Sequence, residues 1–231
     1  MNQRNSLRTV VEQADQLYAG RNDVSNVKKS IELLETCQNK AFESDWRLSR
    51  ANFFLGQEIE ISALRFHHDG INAGRLAARE RPERVEGHFW LGVNLALLAQ
   101  RESVFKALIH VLQAKRALQR AIAIDAAYHG AGPLRVLARL QHKLPRLLGG
   151  GREKAADKYR QAILIAPSNT VTRIYFAELL LEMKEPNKAR AQLEALLKAP
   201  LDPDWGFEIE RDQKLAEERI RSLKKGSGIE S

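Results

Sequence analysis

Cysteine is nearly absent: Cys37 is the only one in 231 residues. The chain therefore forms no internal disulfide and no cysteine-built zinc site. Cys37 sits in SIELLETC, an amphipathic stretch of helical pattern, and reads as a packed thiol rather than a nucleophile. No run approaches the roughly 18 to 20 apolar residues that a membrane span requires. The longest, FWLGVNLALLA (89–99), is short and broken by Asn94, and reads as a buried helix. The opening MNQRNSLRTVVEQAD lacks the apolar core of a signal peptide, so the sequence as read points to the cytoplasm, or to the periplasm where a leader has been removed. Strand-type alternation is missing too. So are HExxH, GxSxG and any cofactor fingerprint. The run Gly149-Gly150-Gly151 lacks the Gly-Lys-Ser/Thr ending of a phosphate loop, and reads as a flexible joint between two helices. Of six histidines, only His67 and His68 are neighbours, and adjacent helical residues point to different faces. These absences lead us to expect no enzyme, no cofactor and no metal.

What is present favours helix. The chain is 44% hydrophobic, 29% charged and only 6% aromatic, and it is rich in Ala, Leu, Arg and Glu. In KAADKYRQAILIAP (154–167), Ala155, Tyr159 and Ala162 fall at offsets of zero, four and seven, on one helical face. Pro167 then stops the helix. Stepping forward 34 residues maps Ala155 onto Ala189, Tyr159 onto Leu193 and Ala162 onto Leu196. An apolar face recurring at that period is the mark of a tetratricopeptide (TPR) hairpin. The stretch resembles that motif at Ala155, Tyr159, Ala162, Pro167, Phe176, Ala177, Leu180 and Ala189, with Arg173 where the family usually has Trp.

Elsewhere the pattern predicts helices at 4–18, around Val27 to Leu34, at 43–56, 59–80, 86–100, 102–124, 131–144 and 152–166. A charged helix at 208–224, after Pro200, Pro203 and Trp205, suits the polar cap of a repeat array. The Leu91-Gly92 pair fits a first TPR helix. Its register places the small residue of the next helix at 104, yet the best match is Ala114, followed by Leu118 and Ala121. The ten-residue difference predicts a helix lengthened by nearly three turns. The expected fold is all-α: one irregular TPR-like solenoid domain over 1–231, with about eleven helices, five hairpins plus a cap, and a frayed tail at about 225–231.

These irregularities narrow the resemblance. EGHFWLG (86–92), GAGPLRVLARLQHKLP (130–145), the long helix, the glycine run and the closing DPDW together resemble the TatT family, the TPR-like T components of TRAP-type transporters, over roughly 20–224. A weaker likeness runs to the regulators of microtubule dynamics. The TatT resemblance implies a non-catalytic scaffold. It would bind a protein partner, the solute-binding component of a transporter being typical, and could carry a small apolar ligand in a central pocket. TatT proteins are typically exported lipoproteins, whereas Leu34-Glu35-Thr36-Cys37 reads as part of a helix rather than as a lipobox.

Charge marks the middle of the chain. Residues 101–160 hold thirteen Lys and Arg against four Asp and Glu, a net +9 where the whole chain carries +8. Within this segment Arg135, Arg139, His142 and Lys143 form one helical stripe, at positions that commonly face a TPR groove. They are the candidate contacts for an acidic protein or peptide, or another anion, with Arg able to bind bidentately. Phe89 and Val93 occupy the places where chaperone-binding TPRs carry polar clamps, and with Leu97 they are the candidate apolar contacts. Reversing Arg135 and Arg139 is expected to weaken binding by about 2–4 kcal/mol and to leave folding nearly unchanged. A nucleic-acid or anionic-surface binder using the same basic segment is the alternative, ranked lower because no RNA motif or aromatic platform accompanies the arginines.

Overall fold

The computed structural model describes residues 2–37, 41–201 and 206–226. Among these the chain forms eleven α-helices and no strand. They fall into two compact units, residues 1–125 and 126–231. The first unit holds α1 (Asn2–Ala19), α2 (Val24–Glu35), α3 (Phe42–Glu58), α4 (Ala63–Glu80), α5 (Val85–Ala99) and α6 (Val104–Ile124). The second holds α7 (Tyr128–Lys143), α8 (Arg152–Ile165), α9 (Thr170–Glu182), α10 (Pro186–Leu197) and α11 (Gly206–Gly226). Short 3-10 turns at Glu60–Ser62 and Arg146–Leu148 link α3 to α4 and α7 to α8.

In the first unit each helix packs on its successor, and α3 also meets α5. Asp23 starts α2 by accepting the Ser25 amide at 2.8 Å, a standard capping arrangement. The apolar run read as a buried helix is α5: Phe89, Trp90, Leu95 and Leu98 are all at most 2% exposed. Burying a Phe or Leu of this kind contributes about 1.5–3 kcal/mol. Gly92 lets α6 come close, because a Cβ there would lie 2.8 Å from Leu118 Cγ. Facing it, α6 presents Ala114, Leu118 and Ala121, all fully buried. The lengthened helix is continuous over 21 residues. Asp15 of α1 ties down α3 through Arg47 at 2.8 Å and Arg50 at 2.7 Å. A polar hub crosses α3, α4 and α5. Asn94 Nδ2 donates to the Ser49 and Trp90 carbonyls, both at 3.0 Å. Its Oδ1 faces His67 Nδ1 at 3.2 Å.

In the second unit the 34-residue period becomes a core. Ala155 and Tyr159 of α8 and Ala189, Leu193 and Leu196 of α10 are fully buried around Phe176, Ala177 and Leu180 of α9, and Ala162 is fully buried as well. The Tyr159 and Phe176 ring centroids are 5.7 Å apart. Arg173, in the usual Trp place, latches to the Pro167 carbonyl at 2.7 Å and to Gln192 Oε1 at 2.8 Å. Along α11, Ile209, Asp212 and Ala216 face inward, at offsets of zero, three and seven, while most other described positions remain at least partly exposed.

Three sequence expectations change. The glycine run is a closed turn rather than a slack joint. Gly150 N donates to Pro145 O at 3.1 Å and Gly151 N to Gln141 O at 2.9 Å. A Cβ on Gly150 would lie 1.9 Å from the Leu144 carbonyl oxygen. Cys37 lies past the end of α2, whose C-cap is Thr36, and is half-buried; burial pushes its thiol pKa up. The helix expected at 131–144 begins earlier, at Tyr128, across a kink. Pro203, Trp205 and the tail from 227 lie outside the described residues.

Candidate partner-binding site

The distinctive segment GAGPLRVLARLQHKLP builds α7, and its first turn is unusual. His129, Gly130 and Ala131 take φ of 54°, 60° and 58°, three left-handed residues in a row. For the two that are not glycine this costs on the order of 1–3 kcal/mol each. Two hydrogen bonds hold the turn: Ala131 N to Ala127 O at 3.0 Å, and Arg135 Nη1 to Gly130 O at 2.9 Å. Pro133 follows in the first regular turn, where a missing N–H breaks no helical bond.

From there the predicted stripe runs along α7, and α9 answers it. Arg139 Nη1 donates to Glu178 Oε2 at 2.9 Å, and its guanidinium stacks on Tyr175, 4.4 Å from the ring centroid. Lys143 Nζ donates to Glu178 Oε1 at 2.7 Å and to Glu182 Oε1 at 2.9 Å. His142 Nε2 lies 2.9 Å from Glu182 Oε2. Glu178 and Glu182 are four residues apart, so one face of α9 carries both carboxylates. Hydrogen bonds from Lys143 and His142 hold the Glu182 carboxyl at about 2, against the cost of burial. At Glu178 burial opposes ionisation, but Lys143 and Arg139 outweigh it and the pKa is lowered. For His142 burial dominates and lowers the pKa, keeping the ring neutral.

Arg135 departs from its neighbours. It is 7% exposed, and its one hydrogen bond among the described residues goes to the Gly130 carbonyl. Burial lowers its pKa, with Tyr175, Tyr159 and Asp212 acting the other way. The expectation that reversing Arg135 and Arg139 would leave folding nearly unchanged is therefore corrected for Arg135. A buried position that grips a strained turn does not accept a carboxylate as a surface position would.

The apolar candidates lie in the first unit. Phe89 and Val93, at 2% and 5% exposure, are core residues of α5, and Leu97 keeps partial exposure. Sequence reasoning missed a different apolar feature. Phe105, Ile109 and Leu112 form an exposed stripe at offsets of zero, four and seven on the added turns of α6, with Val104 beside them. Phe105 is 85% exposed and Val104 82%. It also missed Glu178 and Glu182, although their spacing in FAELLLE was the available signal. Two open depressions occur, one of about 370 Å³ along α11 and one of about 410 Å³ between α1 and α2. Neither contains any of the seven predicted residues.

Helical hairpins with small residues buried at the 34-residue period define a TPR-like all-α protein. Comparison with solved structures agrees: the crystal structure of a thermophilic TPR protein of Thermus thermophilus matches with a TM-score of 0.65 and 23% identity, over 91% of this chain and 98% of that one. The chain belongs to the TAtT family, the TRAP transporter T-component, whose model matches residues 27–226. A comparison with curated protein sequences found no match. Among the described residues no helix is long and apolar enough to cross a membrane.

Proposed function

We propose that this chain is a non-catalytic binding scaffold of a TRAP-type solute transport system, docking a protein partner of acidic character such as the solute-binding component. The observation that carries this reading is the family match over 27–226. Two features of the surface support it. The exposed stripe Phe105, Ile109 and Leu112 is flanked by Lys106, Lys115 and Arg116 on the same helix, an apolar strip with a basic border of the kind that meets a protein partner. Of the seven residues singled out from the sequence, Leu97, Arg139 and Lys143 retain solvent contact and are the ones we assign to the partner. The nucleic-acid alternative is weaker, because no RNA-binding motif accompanies the basic segment.

The test is capture from extract of the native host with the whole chain as bait, at low and high salt. We expect a TRAP solute-binding component to co-purify at low salt and to diminish at high salt, as screening predicts. The double variant Phe105→Glu with Ile109→Glu should fold and lose the capture, since both side chains are exposed. Recovery of nucleic acid in place of a transporter component would overturn the reading.

A further inference from the structure

Helix α6 ends the first unit, and within that unit it packs on α5 alone. Its buried residues are Val111, Ala114, Ala117, Leu118 and Ala121, and its first two turns, from Val104 to His110, contribute none. On the opposite side run Phe105, Ile109, Leu112 and Arg116, all exposed, at offsets of zero, four, seven and eleven. The other end of the unit is built differently. The exposed described positions of α1 are Arg8, Thr9, Glu12, Gln13, Gln16 and Ala19, polar apart from the last. A terminal helix of a repeat array needs a polar outer face. Helix α1 has one, whereas α6 carries a line of large apolar side chains. That line has the four-three-four spacing on which a second helix lies at a shallow angle of roughly 20°.

Charge decides what kind of helix fits. From Val104 to Ile124 there is no Asp or Glu, against Lys106, Lys115, Arg116 and Arg120. Glu102, just before the helix, is only 12% exposed, with its carboxylate 2.8 Å from His110 Nδ1. The outward face is therefore apolar from Phe105 to Leu112 and basic from Lys115 to Arg120. The two parts together span about 22 Å, or four turns, at 1.5 Å per residue. An anionic membrane surface is the less suitable occupant. A helix lying in a bilayer interface keeps its cations on the polar face, but Arg116 continues the apolar line itself and would be pressed toward the acyl chains.

We propose that the outward face of α6 docks an acidic amphipathic helix of a protein partner, added to the first unit as a further helix of the array. The docked helix sets apolar side chains over Phe105 to Leu112 and carboxylates over Lys115 to Arg120. This names the partner segment for the scaffold reading and rests on it.

Fluorescence anisotropy with the full chain tests this with two labelled peptides of about 21 residues, three heptads each. Both carry Leu and Ile at four-three spacing. One has Glu at the flanking positions and the other has Lys. The Glu peptide should bind saturably at 1:1, more weakly as salt rises, and the Lys peptide at least about tenfold more weakly. Phe105→Glu with Ile109→Glu should abolish binding. Lys106→Glu with Arg116→Glu should invert the preference between the peptides. All four positions are exposed, and circular dichroism checks that both variants stay folded. Equal affinity for the two peptides, no binding of the Glu peptide at millimolar concentration, or an unchanged preference in the second variant would each overturn the proposal. So would co-sedimentation with phosphatidylcholine–phosphatidylglycerol vesicles that is lost in the first variant, since the face would then belong to a membrane. Capture of a transporter component without peptide binding would sink this docking face and leave the scaffold reading standing. Peptide binding without such capture would keep the face and remove the transporter assignment.

Discussion

His67 shows how one buried side chain sets a pH dependence. It is fully buried, and its Nδ1–H donates to Asn94 Oδ1, because Asn94 Nδ2 is committed to the Ser49 and Trp90 carbonyls. The remaining Nε2 is therefore unprotonated, buried and without a partner. Burial lowers the pKa from 6.5, with Asn94 and Glu60 acting the other way. A histidine whose folded pKa lies below its unfolded value binds fewer protons when folded. Its stabilisation is whole above the unfolded pKa, near 6.5, and is lost as pH falls toward the lower folded pKa. The same sign holds for His142, whose neighbours are Glu182, Lys143 and Arg139. Urea unfolding should show stability falling as pH drops from about 7 to 5, and His67→Gln should flatten that slope. An unchanged slope in the variant would remove His67 as a source of it.

Helices α7 and α9 are joined by a small charge network whose worth lies in its arrangement. Its members are at least partly exposed apart from His142, and exposed pairs contribute only about 0–1 kcal/mol each. Lys143, however, touches two carboxylates at once. Replacing it by Glu puts three carboxylates together and should cost up to about 2 kcal/mol, taking two pairs at that scale. Glu182→Lys alone should also destabilise, whereas the double exchange should recover part of the loss. Chemical denaturation of the four proteins gives the coupling directly. Additive single effects would mean that the network does not join the helices. The same network makes the second unit acid-sensitive. Glu182 titrates from about 4.5 unfolded to about 2 folded, so its contribution is present above pH 4.5 and lost as pH falls through 2.

Across the whole molecule, helix-packing cores replace covalent staples. Far-UV circular dichroism should therefore give an almost wholly helical spectrum, and the thermal midpoint should not move when reductant is added. A reductant-dependent midpoint would mean that the single thiol pairs with another chain. The family places the protein among TRAP transporter T-components.

Local physics decided much of this before any three-dimensional information. The 3.6-residue period, the 34-residue recurrence from Ala155 to Ala189, the ten-residue surplus before Ala114 and the break at Pro167 each depend on residues near in sequence. They specified the helices and the hairpin packing. Composition excluded disulfides in the same way. Burial and charge pairing depend instead on which helix lies opposite. Arg135, Arg139, His142 and Lys143 share a face by their spacing, but spacing carries no information about α9. Only the packed unit brings Glu178 and Glu182, 39 residues from Arg139 and from Lys143 respectively, against that face. It also turns three residues left-handed at His129 to Ala131 and leaves Arg135 buried beside them. Phe89 and Val93 followed the same logic: hydrophobicity marked them for burial, and tertiary contact decided that they are core.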